Sequence, residues 1–251
     1  MDFNVFGNKE NKAIILIHGN GISWRMWTEH IEELKNDYYI FAPVLPGHNP
    51  RKNSTFTSVE DVAAEIGKYV LNNYGKKVHA VCGASLGGTI AVEMLVQNLL
   101  KVENAIIDCG PVVKMNKILL QLGIKLRLKQ IKKLKNDSSY AKKLFKNSFY
   151  PTFLKNEVVQ ALTNTSELTC KNVHLSVYNY SLPQSFSKST AKIAYWYGSK
   201  EAFLAKKYAK AITTLQPESK IRIFENKGHC EVCISEPNLY TQYMKQFFAS
   251  T

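Results

Sequence analysis

Gly83-Ala84-Ser85-Leu86-Gly87, followed by Gly88, sets one serine among small neighbours, directly after the apolar run VHAVC at 78–82 and directly before the helical pattern TIAVEMLVQN. A serine becomes a nucleophile when a strained strand-to-helix turn exposes its hydroxyl and glycines let strand and helix approach without Cβ clashes. Such a hydroxyl needs a base. Of six histidines, His229 is the one placed for it, in the turn Asn226-Lys227-Gly228-His229 after the run IRIF at 221–224 and before the C-terminal helical pattern. A neutral imidazole there can take the Ser85 proton and return it to a leaving group. His18-Gly19-Asn20-Gly21, after the run AIILI at 13–17, is a second glycine-rich turn at the end of an apolar run. The remaining histidines lie in the turn Leu45-Pro46-Gly47-His48, in an internal strand pattern (His79), in the segment 111–188 (His174) and in a helical pattern (His30).

Stepping outward, these turns sit in an alternation of short β-branched runs and longer helical patterns. Residues 13–17, 39–41, 78–82, 105–108, 193–197 and 221–224 read as strands; 24–35, 58–73, 86–99, 201–214 and 236–249 read as helices. Several strands are apolar on both faces, as strands sandwiched between helix layers must be. Such alternation predicts an α/β fold with a mostly parallel central sheet flanked by helices. Residues 111–188 break it, with helical pattern and no convincing buried strand. Leu120, Ile124, Leu128, Ile131 and Leu134 share one helical face opposite Lys129, Lys132 and Lys133, although the alternation at 124–129 also suits a strand. The segment reads as a helical insertion between two strands.

The serine turn and the His-Gly loop together make the chain resemble the α/β-hydrolase fold family. The resemblance spans the whole chain, with 1–110 and 189–251 as catalytic core and 111–188 as a basic helical cap. It implies an oxyanion hole formed by the backbone N–H groups of Asn20 and Leu86, with Gly21 a lesser donor, and it places Gly21 and Trp24 on the substrate. It also implies the chain order Ser, acid, His. Glu201, reached from the run IAYWY through Gly198-Ser199-Lys200, completes that order; Asp108, ending an earlier strand, is its rival. Two departures fall at Val44-Leu45-Pro46-Gly47-His48-Asn49, where relatives usually carry Asp before Leu-Pro-Gly-His and Gly after it. The short N-terminus suggests that a leading hairpin is trimmed.

Serine at the elbow, where a carboxylate would attack an alkyl carbon, argues against haloalkane-dehalogenase or epoxide-hydrolase chemistry. Acyl transfer to water remains. The expected activity is a serine hydrolase, a carboxylesterase or lipid-type esterase, acting on a small acyl substrate through an acyl-enzyme on Ser85. The alternatives are C–C bond or thioester hydrolysis with the same triad, or a non-catalytic pseudo-hydrolase that binds a ligand. Tyr178, Tyr180 and Phe186 are candidates to line an acyl pocket, and Trp24 and Trp196 lie near the catalytic turns.

Charge bears on what approaches that site. The chain holds 33 Lys plus Arg against 20 Asp plus Glu, a net +13, yet 14 of those cations and only three acids lie in 111–188. The basicity therefore belongs to the insertion. Nucleic-acid binding is not expected, since only Arg25, Arg51, Arg127 and Arg222 are arginines and no zinc-finger or RNA-binding pattern accompanies them. Steering of anionic substrates, weak contact with an anionic membrane surface, or a merely solvated face are the readings that remain. No P-loop or dinucleotide fingerprint is present, and no cofactor is implied. Cys230-Glu231-Val232-Cys233 has no second pair, and Cys82, Cys109 and Cys170 stand alone, so no metal is expected. MDFNVFGNKENK lacks the basic-then-apolar pattern of a secretory signal, which predicts a cytoplasmic protein with reduced thiols.

Overall fold

The computed structural model describes residues 1–49 and 54–249, so Arg51 lies outside it. The described strands are β1 (Asp2–Phe6), β2 (Ala13–Ile17), β3 (Tyr39–Val44), β4 (Lys77–Ala84), β5 (Lys101–Asp108), β6 (Lys192–Gly198) and β7 (Lys220–Phe224). They form one sheet in the order β1-β3-β2-β4-β5-β6-β7, parallel except for the antiparallel edge pair β1/β3. All five residues of β2 are buried, the signature of a strand covered on both faces.

Helices α1 (Thr28–Leu34), α2 (Val59–Asn73) and α3 (Leu86–Gln97) join these strands, and α8 (Ala202–Leu215), α9 (Glu231–Ser235) and α10 (Pro237–Ala249) complete the body. Between β5 and β6 run α4 (Lys117–Asn136), α5 (Ser138–Leu144), α6 (Thr152–Asn164) and α7 (Glu167–Asn179). Their starts are written in the sequence: Asn116, Asp137 and Ser166 each accept backbone N–H groups at the heads of α4, α5 and α7. Helix α4 packs on α6 and α7. It takes in the ambiguous residues 124–129, with Leu120, Ile124, Ile131 and Leu134 buried on its inner face.

Strand β2 leads to β3 on one side, and the chain then returns to β4 on the other side of β2. A sheet whose strand order reverses in this way leaves a crevice at the carboxyl ends of the strands flanking the switch. Those ends carry His18–Gly21, after β2, and Ser85, after β4. Topology alone therefore brings the two glycine-rich turns together.

Two local expectations need correction. Strand β1 has no counterpart among the six expected strands; its five residues pair with β3, from Asp2 opposite Val44 to Phe6 opposite Ile40, so the leading element is one edge strand. The helix expected over 24–35 is a 3-10 turn at Trp24–Trp27 followed by α1. The C-terminal helix is preceded by the short α9, from which it is separated at Glu236. No described helix is long and apolar enough to cross a membrane.

Candidate active site

Ser85 occupies the turn between β4 and α3 at φ 55°, ψ −115°, a region that costs a non-glycine residue about 1–3 kcal/mol. The surroundings hold it there. Its N–H donates to the Asp108 carbonyl at 2.7 Å, and its own carbonyl accepts from Gly88 at 2.9 Å and Thr89 at 3.2 Å. The neighbouring glycines are required by contact: a Cβ on Gly83 would overlap the Gly87 carbonyl, and one on Gly87 would overlap the Ile17 carbonyl.

The turn after β7 carries His229 to this serine. Ser85 Oγ lies 2.8 Å from His229 Nε2, and His229 Nδ1 lies 2.7 Å from Glu201 Oε2. A neutral ring satisfies both contacts when Ser85 donates to Nε2 and Nδ1–H donates to the carboxylate. Burial of the ring lowers its pKa, and the Cys109 and Glu201 side chains against it raise it by more, to well above the ordinary histidine value. For Glu201, burial raises the pKa and the contacts with His229, Cys109 and the Gly198 N–H together outweigh that, leaving the carboxyl below its ordinary value.

Of the two acids foreseen, Glu201 is the one hydrogen-bonded to His229. Asp108 lies behind it, buried, accepting from the Tyr240 hydroxyl at 3.1 Å, with its Oδ1 3.0 Å from the Cys109 sulfur. Burial raises its pKa to about 6. Cys109 also reaches Glu201 Oε1 at 2.7 Å, and burial keeps its thiol far above the ordinary cysteine range, so it stays a proton donor.

The loop after β2 runs against the serine, a Cβ on Gly19 lying 3.4 Å from Ser85 Cβ. Two neutral histidines fix it. His18 Nε2 accepts from Leu45 N–H at 3.1 Å while Nδ1 donates to the Gly19 carbonyl at 2.8 Å; burial, then His48, lowers its pKa to about 3. His48, lowered to about 4 by burial first, faces the Pro46 carbonyl through Nδ1 and the Asn20 side-chain amide through Nε2, each at 3.1 Å. Both partners are oxygens, the Pro46 carbonyl and Asn20 Oδ1, and a neutral ring donates through one nitrogen only, so His48 bonds one of them at a time. Leu86 opens α3, where backbone N–H groups lack intrahelical partners and favour negative charge.

A cavity of about 630 Å³ lies over the serine, lined by residues that include Asn20, Ser85, His229, Arg127, Tyr150 and His174, with Tyr178 among the rest. Several expected lining residues lie elsewhere. Gly21 is buried at φ 73° under Leu162. Trp24 tilts against Phe6, 5.5 Å between ring centroids, because the 3-10 turn aims it at β1. Trp196 is buried edge-on to Tyr240, Phe186 belongs to the core, and Tyr180 donates to buried Glu93 at 2.8 Å. Conversely, Arg127, Tyr150 and His174 were not foreseen, because only the packing of the insertion brings them over the sheet.

Cys109, His229 and Cys230 place three potential ligand atoms within 4.8 Å of one another, Cys109 being brought from just after β5 to the adjacent pair His229-Cys230. Contact with Cys109 lowers the Cys230 pKa, and burial together with the nearby Asp108, Cys233 and Glu201 side chains raises it by more, to about 12. With both thiols protonated and the imidazole bonded to Ser85 and Glu201, hydrogen bonding accounts for the group.

A family model described as the alpha/beta hydrolase family matches residues 14–237. A search of curated proteins finds no sequence match. Among solved structures, a Desulfitobacterium hafniense protein assigned to the alpha/beta hydrolase family aligns at 25% identity and TM-score 0.76, covering 98% of this chain and 99% of that one. An esterase from Exiguobacterium antarcticum aligns at 17% identity and TM-score 0.76, covering 99% and 95%, and carboxylesterase CesB from Bacillus subtilis at 18% and 0.74, covering 98% and 87%. The serine turn, the switch-point crevice and a family match over most of the sequence agree, and the chain belongs to the alpha/beta hydrolase family.

Proposed function

We propose that this hydrolase cleaves carboxylic esters through an acyl-enzyme on Ser85, with His229 as general base and acid and Glu201 as the acid of the triad. The observation that carries the reading is the continuous hydrogen-bond path from Ser85 through His229 to Glu201, at 2.8 and 2.7 Å, starting at a strained serine. As Ser85 Oγ attacks the ester carbonyl, its proton passes to His229 Nε2. The raised His229 pKa suits a ring that must hold this proton, and the Glu201 carboxylate balances the imidazolium. Charge on the carbonyl oxygen is met by the N–H groups of Asn20 and Leu86, each donor of this kind being worth about 100- to 1000-fold in rate. His229 then protonates the leaving alcohol, and water attacks the acyl-enzyme by the same steps in reverse.

A second, more apolar cavity of about 610 Å³ adjoins the first through shared residues Gly123, His174 and Tyr178, and is lined by Leu119, Leu120, Phe203 and Leu204 among others. It offers an apolar part of the substrate a place beside the serine, in keeping with a lipid-type or carboxylic ester, and the insertion then acts as a cap. The test is a panel of esters and thioesters graded in acyl length, with wild type and Ser85→Ala compared. Loss of turnover by a factor of about 10⁶ is expected for the variant, together with a fluorophosphonate adduct on wild type only. Equal turnover by both proteins would remove Ser85 from the mechanism. A wild type that takes up no fluorophosphonate, under conditions where a known serine hydrolase is labelled, would favour a ligand-binding role.

A further inference from the structure

We propose that Arg127 forms an anion subsite in the Ser85 cavity and that the substrate carries a carboxylate a few bonds from the scissile ester, as in the monoester of a dicarboxylic acid. The inference rests on the reading of the Ser85 cavity as the substrate site. Arg127 lines the same cavity as Ser85, Asn20 and His229. Its guanidinium lies over the loop after β2, since a Cβ on Gly21 would sit 3.2 Å from one Arg127 Nη. An anion bound there is beside the position of a carbonyl held by Asn20 and Leu86.

The charge of Arg127 is unmatched. Its hydrogen bond goes to the neutral amide of Gln130, Nη1 to Oε1 at 2.7 Å, and among the described residues no carboxylate forms an ion pair with it. The other described arginines are engaged differently: Arg25 pairs with Glu157 at 3.5 Å, and Arg222 stacks on Tyr243 at 3.8 Å. A half-buried guanidinium facing only neutral groups has lost hydration without gaining a partner, and a planar carboxylate matches its fork.

The rest of the cavity does not cancel this charge. His174 is held neutral, its pKa lowered by burial and then, against a bond to the Cys170 carbonyl, by Arg127 itself. The phenols of Tyr140 and Tyr150, which also line the cavity, add donors of the kind a carboxylate accepts. Glu201, hydrogen-bonded at the site, is committed to His229 and Cys109. Exposed Lys125, Lys129 and Lys132 on the same helix extend the positive potential along α4, which would raise the local concentration of an anionic ester.

The experiment is calorimetric titration of the Ser85→Ala protein, which binds without turnover, with monomethyl glutarate and with neutral dimethyl glutarate. The half-ester should bind about tenfold or more tightly than the diester. Arg127→Met should collapse that preference, and Arg127→Lys should restore part of it. Equal affinity for the two esters, no half-ester binding up to about 10 mM, or an unchanged preference in a folded Arg127→Met protein would overturn the proposal. If Arg127→Met does not fold, the two-ester comparison on the Ser85→Ala protein decides alone. Fluorophosphonate labelling of wild type reports separately on the nucleophile: half-ester preference without labelling would leave the subsite and remove the acyl-enzyme, whereas labelling without preference would do the opposite.

Discussion

The Cys109 thiol lies 2.7 Å from Glu201 Oε1 while His229 holds Oε2, so the carboxylate is gripped from two sides. Cys109 adopts φ 55° to reach this position, and the same sulfur is 3.0 Å from Asp108 Oδ1. Its pKa, pushed far up by burial, keeps the proton on sulfur, which makes it a positioning group for Glu201. Cys109→Ala should therefore lower kcat/KM on a cleaved ester about 3- to 10-fold, the worth of one modest hydrogen bond to a charged group. Cys109→Ser, which keeps a donor, should recover most of the loss. An alanine variant as active as wild type, with an unchanged acid limb in its pH profile, would show that the thiol is only packing.

On the proposed mechanism the acid limb of that profile is set by His229, which works as a base only when neutral. With its pKa raised well above the ordinary value of 6.5, kcat/KM should fall as pH drops through a value above 6.5. Glu201→Gln removes the charge that helps hold the proton on the ring, so the limb should move to lower pH. The plateau should also fall steeply, by up to about 10⁴-fold, as when the acid of a triad becomes an amide. Rates measured from pH 5 to about 9 on both proteins test this; a limb that stays in place would free Glu201 of its assigned role.

The legibility of this molecule follows from how local each signal is. Strand β2 announces itself because five buried apolar residues in a row suit only a strand covered on both faces. Ser85 and His229 are legible because each sits in a short turn flanked by recognisable elements. In sequence Glu201 is the favoured acid and Asp108, which ends β5, its rival; the β6/β7 register carries Glu201 to His229. That register sets Gly198 opposite Phe224, and the two following turns are tied by Lys200 N–H to the Lys227 carbonyl at 3.0 Å and by Asn226 N–H to Ser199 Oγ at 2.8 Å. Arg127, Tyr150 and His174 were invisible as a group because helices fold onto the sheet through contacts no sequence window contains. Trp24 shows the converse: closeness in sequence to the His-Gly loop says nothing about which way a 3-10 turn aims the ring.

Asp108 carries a stability prediction with a definite sign. Burial raises its pKa from an ordinary 3.8 to about 6, so folding favours the protonated form. That contribution is complete below about pH 4 and is lost as pH rises through about 6. Asp108→Asn mimics the neutral form and keeps an acceptor for Tyr240. The melting temperature of the variant relative to wild type should therefore climb between pH 4 and 7, by the equivalent of about 3 kcal/mol at most. A difference independent of pH would mean that folding leaves the Asp108 pKa where it is in the unfolded chain, so that burial does not favour the protonated form.

Gly21 couples the loop after β2 to the helical insertion. At φ 73° it is in a conformation side chains resist, and a Cβ there would lie 2.6 Å from Leu162 Cδ2 on α6. Gly21→Ala must strain the loop and push α6 outward, costing roughly 1–2 kcal/mol of stability and raising KM by moving Arg127 relative to Ser85. Leu162→Ala by itself opens a cavity, because Leu162 is buried. Combined with Gly21→Ala it removes the clash, so the double variant should melt higher than the sum of the single effects allows, and its KM should return toward wild type. Thermal melts and ester kinetics on the four proteins test the coupling. Strict additivity in both would mean that the loop and the insertion move independently, and that strain at φ alone accounts for the cost of the Gly21 substitution.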